Sequence, residues 1–103
     1  MRCVAIVRFP APAALGGEQL RKVLEDAVPR YQVIPGLHRK YFLGNDTHGG
    51  GVYEWHDRAT AQAFYDAAWY ERMRTVYGVV PDIQYFDLHA VVDNDGRTSV
   101  IDA

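Results

Sequence analysis

The segment PGLHRKYFLGNDTHGGGVYEWHDR, residues 35–58, constrains the fold more than any other, because two extended runs flank turn-forming residues and lead into a helix start. Residues 37–43 are aromatic and branched enough for a strand, and residues 52–56 resume the extended pattern. Between them, Gly44-Asn45-Asp46 and Gly49-Gly50-Gly51 supply turn chemistry. Glycine has no Cβ and tolerates positive φ, so three in a row fit either a turn or a close approach of another backbone or a ligand; the turn is the simpler reading. Asp57 then offers a helix N-cap.

The rest of the chain supplies what a lone hairpin needs to bury its apolar face. Residues 2–9 (RCVAIVRF) alternate Cys3, Ala5, Val7 and Phe9 against Val4, Ile6 and Arg8. A strand apolar on both faces sits mid-sheet. Pro10 and Pro12 end it, and residues 10–17 read as a connector. Residues 18–28 place Leu20, Val23, Leu24, Ala27 and Val28 at the spacing of a core-facing helical stripe. Pro29 then implies a kink or a fresh turn through Tyr31 and Ile34, and Pro35-Gly36 is the stop. After Asp57, one long helix or two short ones keep Phe64, Ala67, Ala68, Met73 and Val76 in phase until Gly78 and Pro81. Residues 82–92 form the last strand, with Gln84, Phe86, Leu88, Ala90 and Val92 as its more apolar face. Residues 93–103 read as a tail that frays or reaches onto a neighbour.

The resulting order, β-α-β-β-α-β, is the ferredoxin-like α+β arrangement: a four-stranded antiparallel sheet with helices on one face, formed by one domain spanning residues 1–103. The other face is left bare. Because the first and last strands are apolar on both sides, an identical subunit is the expected cover, giving a homodimer through the sheet face. Seven Tyr, four Phe and two Trp exceed what one small core hides, which favours the same conclusion. A net charge of −2 gives no reason to approach nucleic acid. The single cysteine, Cys3, cannot form an internal disulfide and reads as a buried, inert thiol. No apolar run is long enough for a bilayer, and no secretory signal pattern opens the chain, so the cytoplasm is the expected compartment.

Candidate chemistry centres on the second and third strands. The four histidines, 38, 48, 56 and 89, lack helical metal-ligand spacing, so no metal is expected. His38 shares a strand face with Lys40 and Phe42, where the neighbouring ammonium would keep it neutral and basic. Period-two reasoning alone leaves Arg39 and Tyr41 as the competing inward set. Lys40 reads either as a desolvated cation for an anionic substrate or as a snorkelling stem at a sheet edge. Tyr53 and Trp55 share one face of the third strand. Burying Glu54 under the helices would be costly, so they point to the helices and Glu54 to the subunit interface or the rim, paired with Arg8 or Arg39. From the helical segments Tyr31, Tyr65 and Trp69, with Tyr77, complete an aromatic-lined cavity for a small molecule. No nucleophile elbow, phosphate loop or dinucleotide fingerprint is present, and the glycine triplet precedes a strand.

At Gly36-Leu37, Arg39-Lys40-Tyr41, Gly50-Gly51-Val52-Tyr53-Glu54-Trp55, Ala63-Phe64-Tyr65 and Tyr85-Phe86-Asp87 the chain resembles the dimeric α+β barrel superfamily of antibiotic-biosynthesis-monooxygenase-like proteins, closest to its YdhR-like group. The resemblance covers residues 35–93 well and the first third by topology. It implies subunits packed sheet to sheet, each with a pocket between its own sheet and helices. The activity it implies is a monooxygenase that needs no metal or flavin; on the side-chain reading above, His38 and Tyr53 would handle protons and Lys40, Phe42, Trp55, Tyr31, Tyr65 and Trp69 would bind an enolisable or aromatic substrate. An isomerase or cyclase using the same pocket, and a non-catalytic small-ligand binder, are the alternatives. Haem is disfavoured because the region of the second helix holds no histidine.

Overall fold

In the computed structural model, which describes residues 1–10, 17–96 and 98–101, four strands form one antiparallel sheet in the order β2-β3-β1-β4. The strands are β1 (Cys3–Pro10), β2 (Leu37–Gly44), β3 (His48–Trp55) and β4 (Asp82–Asp87). The helices are α1 (Gly17–Gln32), α2 (Arg58–Phe64) and α3 (Ala67–Tyr77). This is the ferredoxin-like α+β fold, with β1 hydrogen-bonded to β3 on one side and to β4 on the other. Most of the connector expected at residues 10–17, and the end of the expected tail, lie outside the described residues.

Register explains how the core is built. Cys3, Ala5 and Val7 stand opposite Trp55, Tyr53 and Gly51 on β3, and opposite Asp87, Tyr85 and Ile83 on β4. The small β1 side chains leave depth for large aromatic neighbours. Cys3, Ala5, Val7, Tyr53, Trp55, Ala61, Tyr65, Trp69 and Met73 accordingly form one buried cluster between sheet and helices. Trp55 and Cys3 are its largest fully enclosed side chains, and burial pushes the Cys3 thiol pKa up.

The helical region divides in two because it holds two caps. Asp57 accepts from the Thr60 amide at 2.7 Å to open α2, and Asp66 accepts from the Trp69 amide at 2.9 Å to open α3. Gly78, left-handed at φ 68, ends α3 with its amide on the Arg74 carbonyl at 2.8 Å. Helix α1 runs through Pro29 to Gln32, four residues past the expected end, and so carries Arg30 and Tyr31 in its last turn. Of its apolar stripe only Ala27 is buried. Leu20, Val23 and Val28 stay about two-fifths exposed.

Three expectations are corrected. The glycine triplet lies within β3, and the turn is made by Asn45, whose side-chain oxygen accepts from the amides of Thr47 and His48 at 3.0 and 2.8 Å. Gly50 has φ +152, and a Cβ there would overlap the Val7 carbonyl oxygen; Gly51 would bring a Cβ within 2.6 Å of the Tyr41 carbonyl. The close-approach reading of the triplet therefore prevails. The last strand stops at Asp87, after which the Leu88 amide bonds the Arg2 carbonyl at 2.9 Å and a separate hairpin follows, β5 (Ala90–Asp93) with β6 (Thr98–Ile101). Ile83 and Tyr85, not Phe86, pack on the core, because β1 sets their register to Val7 and Ala5.

Glu54 pairs with Arg2 at 3.4 Å, whereas Arg39 pairs with Asp93 at 3.8 Å. Val4 stands opposite Glu54, so Arg2 lies diagonally across on the same face. Arg8 stands opposite Gly50, about 13 Å further along the ladder. The Arg39 contact also fixes the course of the C-terminal hairpin. Asp93 follows β4 at one edge of the sheet and reaches β2 at the other, so the chain crosses the end of the helix-free face.

Candidate functional site

Lys40 lies opposite Tyr53 on the helix face of β2, and the chain builds an aromatic surround for its amine. The Nζ atom sits 3.5 Å from the Tyr31 ring centroid, 3.9 Å from that of Phe42 and 4.5 Å from that of Tyr53. Tyr31 comes from the last turn of α1, Phe42 from two residues along β2, and Tyr53 from β3. Phe64, at the end of α2, closes the group, with centroids 6.4 Å from Tyr31 and 6.3 Å from Tyr53. Gly51 gives the lysine stem its floor, since a Cβ there would lie 3.3 Å from Lys40 Cε.

Electrostatics at this position are unusual for a lysine. Burial first, and the Arg30 guanidinium second, pull the Lys40 pKa down to about 7. The ring faces act the other way, by favouring an ammonium in front of their π clouds. Among the described residues no carboxylate lies within ion-pair distance of Lys40. The Tyr53 phenol is pushed well above its ordinary pKa by burial and then by the neighbouring Tyr31 and Tyr65, so it stays protonated and acts only as a donor or acceptor of hydrogen bonds near neutral pH. Of Lys40 and Tyr53, the lysine is the one brought into the neutral range.

The remaining candidates fall into two groups. Trp55, Tyr65 and Trp69 form a dry layer beneath the lysine cluster: Trp55 Nε1 donates to the Tyr65 hydroxyl at 3.2 Å, and Tyr65 meets Trp69 edge-on at 4.9 Å. Their exposures are 0%, 5% and 3%, so they support the site as core and do not line an open cavity. Burial also raises the Tyr65 pKa, against the opposing effect of the Trp55 hydrogen bond. His38 is not brought to Lys40. The register shifts between Leu37 and Arg39, which takes His38 out of the alternation that carries Lys40 and Phe42; it is exposed, with its ring 5.9 Å from that of His56. Tyr77 stacks on Phe9 at 5.7 Å and is likewise apart.

Phe64 and Arg30 are the members that sequence reasoning passed over. Phe64 reads as an ordinary core position of a helical stripe. Arg30 falls beyond the helix end that Pro29 suggests, although its place beside Tyr31 was available as a signal. A separate concavity of about 190 Å³ lies at the hairpin end, lined by Ile6, Arg8, Leu43, His48 and glycine backbone. Its Ile6, Arg8 and Leu43 belong to the helix-free face, so it is distinct from the lysine cluster. Among the described residues no group of three or more His, Cys, Asp or Glu could hold a metal ion, and no helix is long and apolar enough to cross a membrane.

The fold defines the class: a ferredoxin-like α+β domain, here with a half-open aromatic cluster between its sheet and helices. Solved structures agree on the fold. SnoaB, a cofactor-independent oxygenase from Streptomyces nogalater, superposes with a TM-score of 0.58 at 14% identity, over 84% of this chain and 92% of that one. The NE2512 protein of unknown function from Nitrosomonas europaea superposes with a TM-score of 0.59 at 20% identity, over 84% and 88% of the two chains. No protein-family model and no curated protein sequence matches the chain.

Proposed function

We propose that the chain is a small-molecule monooxygenase that works without a bound metal or flavin, on an enolisable or aromatic substrate lodged between sheet and helices at Lys40. The observation that carries this reading is an amine, held among Tyr31, Phe42 and Tyr53, whose pKa sits at about 7. A general base is most effective when its pKa lies near the working pH. Support for the class of chemistry comes from the oxygenase described for SnoaB, which shares the fold. Within the superfamily we read the chain as YdhR-like, cytoplasmic and homodimeric.

The chemistry follows from the side chains. Neutral Lys40 takes a proton from an acidic C–H or O–H of the substrate, leaving an enolate or phenolate beside the new ammonium. That anion is electron-rich enough to reduce dioxygen, and a methylene then becomes a carbonyl with release of water: CH₂ + O₂ gives C=O + H₂O. Trp55, Tyr65 and Trp69 exclude water below the site, which strengthens the ammonium-enolate attraction. Tyr53, held protonated, donates a hydrogen bond to the developing oxyanion.

Oxygen uptake and product mass tested together on a panel of 1,3-dicarbonyl compounds and polyhydroxylated naphthalenes check this proposal. One O₂ consumed per substrate is expected, with a rate that climbs through about pH 7 as Lys40 loses its proton, and Lys40→Met abolishes turnover with near-UV dichroism intact. Conversion without oxygen uptake would identify an isomerase or cyclase instead. Binding without conversion would leave a ligand carrier.

A further inference from the structure

A lysine amine swings on a flexible four-carbon stem, and proton transfer needs it held in one place. Elsewhere in the described chain carboxylates hold the cations, as Glu54 does for Arg2, Asp87 for Arg58 and Glu71 for Arg74. Lys40 has no such partner among the described residues, and three rings stand where one would be. Tyr31, Phe42 and Tyr53 place their centroids 3.5, 3.9 and 4.5 Å from Nζ, and among the described residues no other ring face lies within cation-π reach of it. The shortest of these distances is van der Waals contact with the face of Tyr31, where the negative side of the ring quadrupole lies. Phe42 stands edge-on to Tyr31, with centroids 5.5 Å apart and planes at 88°, so the two rings make a corner with the amine in it.

Position in the chain separates Tyr31 from the other two. Phe42 and Tyr53 belong to the sheet that carries Lys40 itself, whereas Tyr31 is brought across from the last turn of α1, beyond Pro29. It is therefore the ring by which a helix reaches the amine. Burial, with Arg30 of the same turn adding repulsion, disfavours the ammonium, and the ring faces favour it. The other titratable groups facing the amine are the phenols of Tyr31 on α1 and Tyr53 on β3, while α2 adds Phe64, which carries no charge. The balance between burial and ring attraction decides how much of the amine is free to act as a base.

We propose that Tyr31 is the positioning residue for Lys40: its ring face, and not its hydroxyl, holds the amine on the helix side of the sheet and sets how readily the proton leaves. Tyr31 then acts through the lysine instead of stacking on the substrate. This rests on the proposed function for the use made of the amine, but the hold itself is independent of any reaction.

Lys22 and Lys40 are the only lysines in the sequence, so protein isotopically labelled at lysine Cε gives an NMR signal for each, with Lys22, exposed on α1, as the reference. The probe is a series at position 31 that keeps the shape and changes only the charge of the ring face: Tyr31→Phe, then the same phenylalanine with increasing numbers of ring fluorines, which drain that face. Tyr31→Phe is expected to leave the Lys40 titration midpoint close to the wild-type value. Fluorination should then lower it stepwise, by about one pH unit in all, with the Lys22 signal unmoved. The same fluorination at Phe64, in the cluster but outside reach of the amine, should leave the Lys40 midpoint where it is. A midpoint that ignores the series at position 31, or that moves as far on loss of the hydroxyl alone, overturns the proposal. If the midpoint follows the series and no compound of the oxygen-uptake panel is oxidised, the assignment of Tyr31 stands and the oxygenase reading falls. If a compound is oxidised and the midpoint ignores the series, the oxygenase reading stands and the assignment of Tyr31 falls.

Discussion

Lys40 couples the stability of the fold to pH. Its folded pKa of about 7 lies below the ordinary 10.5, so below pH 7 the folded protein carries the full cost of a buried charge. Between those values the unfolded chain holds a proton that the folded chain has released, and stability rises with pH. Tyr53 and Tyr65 run in the opposite sense: their folded pKa values are raised, so the stability they contribute is present below the ordinary phenol value and lost as the pH climbs past it. Urea unfolding is therefore expected to show stability rising from neutral pH to a maximum near pH 10 and then falling. Lys40→Met should unfold at higher urea than the wild type at about pH 6, by at most ~1 kcal/mol per unit of depressed pKa after allowing for solvent screening, and the gap should close towards about pH 10. A gap that is flat across this range would mean the amine is solvated in the folded state.

Among the elements, β3 is the one whose composition misleads. Gly50 is held at positive φ against the Val7 carbonyl, so Gly50→Ala combines backbone strain with overlap and is expected to cost roughly 3 kcal/mol or more. Gly17, at the start of α1 with open space around its Cβ position, makes the control: Gly17→Ala is expected to be neutral or stabilising by about 0.5 kcal/mol. Chemical denaturation of the two variants separates these outcomes, and equal effects would contradict the strand assignment of the triplet. This contrast also marks what could be read in advance. The cost of burying Glu54 beneath the helices predicted which face holds Tyr53 and Trp55, because that argument concerns side-chain polarity. Close approach of β1 to Gly50 is a three-dimensional fact that the triplet allows but cannot by itself distinguish from a turn. The shift at Leu37 and Arg39 was hidden for a similar reason, and it removed His38 from the site. On β4 both faces carry apolar residues, so polarity could not choose between Tyr85 and Phe86; the ladder with β1 does. Asp57 advertised its helix by standing after an extended run, whereas Asp66 did so inside a segment that reads as continuous helix.

At the scale of the whole molecule, Ile6, Tyr41, Leu43 and Phe86 remain 37%, 56%, 56% and 47% exposed on the helix-free face, which the C-terminal hairpin crosses only at one end. Large apolar side chains grouped on one face in this way favour burial against a partner, and a homodimer through that face is the expected state. Sedimentation should report a dimer that Ile6→Asp shifts towards monomer, with the far-UV spectrum retained; a wild-type monomer at micromolar concentration would rule the interface out. The strand order has a further consequence for how the chain is made. Strand β1 leaves the ribosome before the other three strands of its sheet yet occupies an interior place in it, and its two neighbours are the third and fourth of the four to appear. Roughly 75 residues separate the end of β1 from the end of β4, which at translation speeds of about 5–20 residues per second leaves an apolar ribbon waiting some 4–15 s for its second partner. For that interval the nascent chain depends on something other than its own fold to keep Val4, Ile6 and Phe9 from sticking elsewhere.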